Sequence, residues 1–213
     1  MATDWYRRKS WSKTDEEEFF AKLSRARKDG RAQYLKIQAI ELVATKEANL
    51  LNIAKELLNK VLDEYPEDNF NKSSVLNTLG DIFLLQNDIE KSLEYYKLSI
   101  DFEKTYPNVT TDSYLIFSEL VVKNQFKNLY TVAEELLEEK ITGLVFPVQK
   151  YKVFSLLSII NNYNSKTSIA KKYADLANEN AQAETSGLRY HKYLGVVSER
   201  DDSLDKMVTK SFK

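Results

Sequence analysis

Three prolines divide this chain of 213 residues at nearly even intervals, and each of them directly follows a tyrosine or a phenylalanine. Pro66, Pro107 and Pro147 are 41 and 40 residues apart. Glycine is also scarce, with five residues in the whole chain. Because proline and glycine are the residues that most often interrupt regular structure, their scarcity predicts helices joined by short connections. The even spacing predicts a repeated unit of about 40 residues.

Apolar residues recur every three or four positions, as they do on one face of an α-helix, and do not alternate as in a strand. This periodicity predicts an all-α fold without strands. The expected helices span residues 14–28, 31–45, 47–65, 72–86, 88–105, 112–125, 128–141, 147–163, 166–183 and 186–194.

Capping signals support several of these helix ends. Thr14 and Glu17 have the spacing of a capping box, in which each side chain accepts a hydrogen bond from a free backbone N–H. We expect Gly30 to end the first helix in a left-handed conformation. Asp88 is expected to cap the helix that follows it, and Pro147 is expected in the first turn of its helix, where its missing N–H costs nothing.

One pair of helices carries a pattern of large and small residues that resembles the tetratricopeptide repeat. The small residues, Gly80 and Ser92, are expected where the two helices cross closely. The residues of the pattern are Leu76, Leu79, Gly80, Phe83, Ser92, Tyr96, Ser99 and Pro107. Three further pairs repeat it more loosely, so the resemblance covers about residues 31–183. A helical bundle with accidental spacing is the alternative.

The resemblance implies an α-solenoid of about four helix pairs, whose first helices line a concave groove. We therefore expect a single domain over residues 1–195. Its parts are an N-terminal cap (1–30), the repeats (31–183) and a helical C-terminal cap (184–195), followed by a polar tail (196–213). The N-terminus, which begins Asp4-Trp5-Tyr6-Arg7, is also similar to a group of small bacterial tetratricopeptide proteins without an assigned function.

The repeat register implies which side chains face the groove. Its wall is mixed and rich in amides, with few charges, which suits an extended peptide or a protein element whose backbone needs hydrogen-bond partners. The expected groove residues are Gln33, Lys36, Ser74, Asn77, Asp81, Leu84, Ser118, Val122, Gln125, Lys152, Ser155 and Asn162, with Ile40, Leu115 and Ile159. Lys36, Asn77 and Lys152 are spread over three pairs, so we do not expect the carboxylate clamp of chaperone-tail binders.

Composition favours few kinds of chemistry. The chain has 31 basic and 32 acidic residues, no cysteine and one histidine, His191. Disulfides and cysteine-based zinc sites are therefore excluded. No glycine spacing matches a phosphate-binding loop. Glu134, Glu135, Glu138 and Glu139 are interpreted as a solvated face rather than a metal site. We expect no catalytic residue, cofactor or metal, and no membrane segment; the expected location is the cytoplasm.

These observations predict a non-enzymatic module that binds a peptide or protein in its groove. A bacterial immunity or antitoxin-type protein and an assembly adaptor are both compatible with it. The alternative is a nucleic-acid-associated regulator that uses the basic N-terminus, in which Trp5, Tyr6 and Trp11 are interleaved with arginines. We interpret those aromatic residues instead as a plug at the end of the solenoid, and regard nucleic-acid binding as the weaker hypothesis. A hydrolase that uses His191 is a third.

Overall fold

A computed structural model describes residues 4–212, and these residues form an all-α protein in which no strand occurs. The predicted fold class is confirmed at this level. The helices of the described residues are α1 (Lys13–Arg25), α2 (Arg31–Val43), α3 (Ala48–Glu64), α4 (Lys72–Leu85), α5 (Ile89–Thr105), α6 (Ser113–Lys123), α7 (Tyr130–Lys140), α8 (Pro147–Tyr163), α9 (Thr167–Ala181) and α10 (Asp202–Ser211). None of these helices has the length and apolar character needed to cross a membrane.

The helix ends agree closely with the sequence pattern for α1 to α9, each within three residues of the prediction. Asp88 caps α5 by accepting a hydrogen bond from the backbone N–H of Lys91 at 3.2 Å. Pro147 opens α8, as predicted. The capping box of α1 was wrongly placed, because it is formed by Ser12 and Asp15 rather than by Thr14 and Glu17.

Gly30 is a second correction. Its φ is −96°, so it is not left-handed; it ends a short 3-10 turn, Lys28–Gly30, and is the residue from which α2 begins.

The C-terminal region also differs from the prediction. Residues 186–194, expected to form a capping helix, form turns instead. The expected polar tail contains a helix, α10, whose Leu204 is completely buried and which packs on α8. Leu204, Met207 and Val208 lie three and four residues apart, so that α10 has one apolar stripe. Its stability depends on the helix that this stripe packs against.

The chain divides into two compact units, Met1–Ser113 and Tyr114–Lys213. In the first unit, α2 packs on α3, α3 on α4 and α4 on α5, and α2 also contacts α4 directly. The largest fully buried side chains of this unit include Phe19, Leu35, Leu58 and Tyr96. In the second unit, α7 and α9 both pack on α8, as does α10. Helix α8 is therefore the central element of the second unit.

Four helix–turn–helix connections share one backbone feature. Each contains a non-glycine residue with a positive φ: Lys46 (60°), Asn87 (61°), Gln125 (56°) and Ser165 (61°). Each lies seven residues after a small residue of the preceding helix, namely Ala39, Gly80, Ser118 and Ser158.

The last three of these turns also share a hydrogen bond of 2.9 Å. The residue directly after the left-handed residue donates its backbone N–H to the carbonyl of the residue five positions before the donor, as in a Schellman motif. An example is the hydrogen bond from Asp88 to Phe83. The turns therefore repeat in sequence position and in geometry.

The crossing points within two hairpins are also related. Between α4 and α5, the Ser92 hydroxyl donates to the Gly80 carbonyl at 3.0 Å. Between α8 and α9, the Ser158 hydroxyl donates to the Ala170 carbonyl at 2.9 Å. In both hairpins the two hydrogen-bonded residues are 12 positions apart. The donor lies on the second helix of the first hairpin and on the first helix of the other. The expected close crossing at Gly80 and Ser92 is thus present.

Candidate protein-binding face

The first unit presents seven of the fifteen predicted groove residues on two helices that touch. Gln33 and Ile40 on α2 are exposed, and Lys36 is half-buried. The residues of α4 at the corresponding positions, Ser74, Asn77, Asp81 and Leu84, are all partly accessible to solvent. We define these seven side chains as the α2–α4 face. None of them is fully buried, so the face is open to a ligand.

Asp81 is held in place within the α2–α4 face by hydrogen bonds on both of its oxygens. The Tyr96 hydroxyl donates to Oδ1 at 2.6 Å, and the Asn77 amide donates to Oδ2 at 3.1 Å. The Ser113 hydroxyl in turn donates to Oδ1 of Asn77 at 2.7 Å. Burial raises the pKa of Asp81 above its usual value, while the hydrogen bond from Tyr96 acts in the opposite direction. The carboxylate therefore has a fixed position and an incomplete hydration shell.

Lys36 is the cation of the α2–α4 face. Burial lowers the pKa of Lys36, and the charge of Asp68 opposes this effect. Within residues 4–212, no carboxylate lies within 4.0 Å of its ammonium group. A half-buried ammonium without an ion-pair partner has unused donor capacity. The face can therefore accept a carboxylate or carbonyl oxygen of a ligand at this point.

The structure places the predicted groove residues of the second unit differently. Ser118 and Val122 on α6 are completely buried, and Ser155 on α8 is 1% exposed. Lys152 and Asn162 are partly accessible, and Gln125 is exposed in the turn after α6. The buried members cannot contact a partner as they stand.

The repeated turns account for the burial of Ser118 in α6. Ser118 precedes its left-handed residue by seven positions, as Gly80 precedes Asn87, so Ser118 corresponds to the small crossing residue. In that register the position of Asp81 corresponds to Glu119, a residue outside the predicted groove. The register that the turn indicates for α6 therefore differs by three residues from the predicted one. The left-handed turn, which is not visible in residue types alone, is the signal that corrects it.

Glu119 is the centre of an ion-pair cluster in the second unit. Its Oε1 lies 2.6 Å from Nζ of Lys123, and its Oε2 lies 2.9 Å from Nζ of Lys152. Lys123 also contacts Asp201, immediately before α10, at 2.6 Å. Burial acts in the opposite direction, but the hydrogen bonds from Lys123 and Lys152 hold the pKa of Glu119 below its usual value. Lys152 is therefore already paired.

Helix α10 is attached to α8 near both of its ends. The Tyr151 hydroxyl donates to the Asp205 carboxylate at 2.9 Å and accepts a hydrogen bond from the Asp201 N–H at 3.1 Å. Near the other end, the Asn162 amide donates to the Ser211 carbonyl. The N-terminus of α10 thus lies near the N-terminus of α8, and the two helices run in the same direction.

The N-terminal aromatic residues contact the core of the first unit. Trp5, Tyr6 and Trp11 pack against its buried cluster, and the Trp5 ring centroid lies 5.3 Å from that of Phe19. Their rings are therefore engaged within the fold, as the interpretation of an aromatic plug requires.

The arginines beside these rings form ion pairs, and the neighbouring backbone forms hydrogen bonds. Arg7 pairs with Glu41, and Arg8 pairs with Asp15 and Glu18. Gln38, which is completely buried, bonds both the N–H and the carbonyl of Arg8. These contacts fix the segment on α2 and leave fewer groups free for nucleic acid.

Two further candidates from the sequence are Glu134 and His191. Glu134 pairs with Lys166 at 3.0 Å and accepts a hydrogen bond from Asn164, so it stabilises the connection between α8 and α9. His191 is exposed in a turn. In the part of the chain that the structure describes, no group of three metal-binding side chains occurs.

Comparison of the chain with protein-family models, with curated proteins and with solved structures finds no match.

Proposed function

We propose that this chain is a non-enzymatic protein-binding module built from four helix pairs of the tetratricopeptide type. The repeated left-handed turns at Lys46, Asn87, Gln125 and Ser165 support the four-pair arrangement, because each lies seven residues after a small residue of the preceding helix. The bond between Ser158 and Ala170 supports it further, since it joins the positions that Gly80 and Ser92 occupy in the strongest repeat.

The observation that carries the binding function is the accessible α2–α4 face around the unpaired Lys36. A rigid face of this kind is already ordered before a ligand arrives, so that less conformational entropy is lost on binding. Asp81 and Asn77 are fixed by their own hydrogen bonds, and Lys36 has donor capacity to spare.

We infer that the ligand of the α2–α4 face is a polar protein segment that offers a carboxylate or backbone carbonyl to Lys36. An immunity or antitoxin-type protein and an assembly adaptor would both use the face in this way.

Site-specific crosslinking in cells that produce the protein tests this proposal. A photo-crosslinkable residue at Ser74 should yield a discrete product with another protein. The same residue at Lys97, which is exposed on α5, is the matched control and should not. Lys36→Glu should abolish the product from Ser74. If both positions give the same products, or if Lys36→Glu has no effect, the α2–α4 face is not the binding site.

A further inference from the structure

The face of α8 that corresponds to the α2–α4 face is covered by a helix of the same chain. Tyr151, Ser155, Ile159 and Asn162 are four, four and three residues apart, so they form one stripe along α8. Helix α10 accepts hydrogen bonds from the first and the last of these residues, Tyr151 and Asn162. Ser155 and Ile159 lie between those contacts and are 1% and 7% exposed. The position predicted to receive a ligand is therefore occupied by an amphipathic helix.

The fit between α10 and this stripe is incomplete in two respects. The Ser155 hydroxyl is buried without a hydrogen-bond partner among the described residues. A cleft of about 490 Å³ that is open to solvent also lies beside α10, and its lining includes Ile159, Asn162, Met207 and Ser211. A buried polar group without a partner favours exchange for a ligand that satisfies it.

The attachment of α10 is also weak for a structural helix. It has ten residues, and an isolated helix of that length is marginal in water, so α10 depends on its contact with α8. Only Leu204 among its side chains is fully buried. The preceding residues, 182–201, contain no helix. They include the exposed side chains of Tyr190 and Tyr193. Detaching α10 would break its hydrogen bonds to Tyr151 and Asn162 and the ion pair between Asp201 and Lys123.

We propose that the α8 stripe is a binding site for an amphipathic helix of a partner protein, and that α10 occupies it until such a helix displaces it. This goes beyond the proposed function, on which it rests for the role in protein binding, by assigning a second site with a different class of partner. The partner helix would place a leucine where Leu204 lies, with apolar residues three and four positions later. A carboxylate at its N-terminal end would replace Asp201 beside Lys123.

Helix α10 competes with a free peptide for the α8 stripe, and its advantage comes from its connection to the rest of the chain through residues 182–201. A segment on a short flexible connection has an effective concentration on the order of 1 mM. A free peptide of the same sequence at about 10 µM would then occupy about one hundredth of the sites. Wild-type protein should therefore bind such a peptide weakly, and weakening the attachment of α10 should increase the binding.

The probe is a fluorescent peptide with the sequence of residues 199–212, and its anisotropy is measured with the full-length protein. Leu204→Ala should raise its apparent affinity at least about tenfold, since a buried leucine is the main apolar contact of α10. The matched control, Lys206→Ala, changes an exposed residue of the same helix and should behave like wild type. Equal binding by Leu204→Ala and wild type would overturn the proposal.

A second variant makes the test independent of how Leu204→Ala folds. The chain has no cysteine, so Asn162→Cys/Ser211→Cys introduces one selective disulfide between residues that already touch. The oxidised form should not bind the peptide, and reduction should restore binding to at least the wild-type level. Equal binding by the two forms would show that α10 is a fixed structural element. Because this probe is independent of the crosslinks at Ser74, either proposal can fail alone.

Discussion

The ring of Tyr96 lies directly against the backbone of Gly80, so that a Cβ added at Gly80 would be 2.7 Å from Cε1 of Tyr96. Tyr96 is completely buried, and its hydroxyl donates a hydrogen bond to Oδ1 of Asp81 at 2.6 Å. The ring therefore cannot move aside without losing contacts on both sides. This close approach sets the distance between α4 and α5.

Gly80→Ala is accordingly expected to destabilise the protein by about 1–3 kcal/mol, the usual cost of overpacking a core. The higher helix propensity of alanine offsets about 1 kcal/mol of this at most. Urea denaturation followed by circular dichroism measures the difference. Gly143→Ala is the control, because no atom lies within 4 Å of a Cβ placed there, and it should be close to neutral. Equal effects of the two changes would contradict the close approach.

The left-handed turns predict a gain in stability. An L-residue in this conformation costs roughly 1–2 kcal/mol, whereas glycine adopts it readily but is more flexible in the unfolded chain. Lys46, with a φ of 60°, is exposed. Lys46→Gly should therefore stabilise the protein by about 0.5–1 kcal/mol. Lys46→Ala keeps the backbone restriction and should give no gain. Thermal unfolding of both variants measures the difference. An equal gain in stability from Lys46→Ala and Lys46→Gly would disprove the explanation.

Ser155 and Ser158 provide a matched pair on α8. Both are buried, but the Ser158 hydroxyl donates to Ala170 while that of Ser155 has no partner among the described residues. Ser158→Ala should cost about 1 kcal/mol, the usual net value of a hydrogen bond. Ser155→Ala should be neutral or stabilising, since it removes an unsatisfied group. Urea unfolding compares them, and an equal loss in both would mean that the Ser155 hydroxyl is satisfied.

Asp81 predicts a dependence of stability on pH. Its folded pKa is raised above the usual 3.8 by burial, so the folded protein holds this proton more tightly than the unfolded chain does. The contribution to stability is complete below about pH 4 and is lost as the pH rises through the folded pKa. Wild type should therefore lose stability relative to Asp81→Asn as the pH rises above about 4. Urea midpoints at several pH values measure this, and a constant difference would argue against it.

The positions of nine helices followed from local features of the chain. Apolar periodicity and the residues Asp88 and Pro147 act over a few positions, and their hydrogen bonds and steric limits are the same in any fold that contains the helix. The crossing at Gly80 and Ser92 was likewise predictable, because residue size limits how closely two adjacent helices approach. The sequence by itself thus determined that this is an all-α protein of short-linked hairpins.

Tertiary structure alone decided the rest. Helix α10 is too short to be stable by itself, and it is held by Tyr151, about fifty residues earlier in the chain. Ser155 is buried, although the sequence placed it in an open groove. The pairing of Glu119 with Lys152 joins residues 33 positions apart. Such pairings depend on which faces meet after the helices have formed, and no local pattern of residues encodes that.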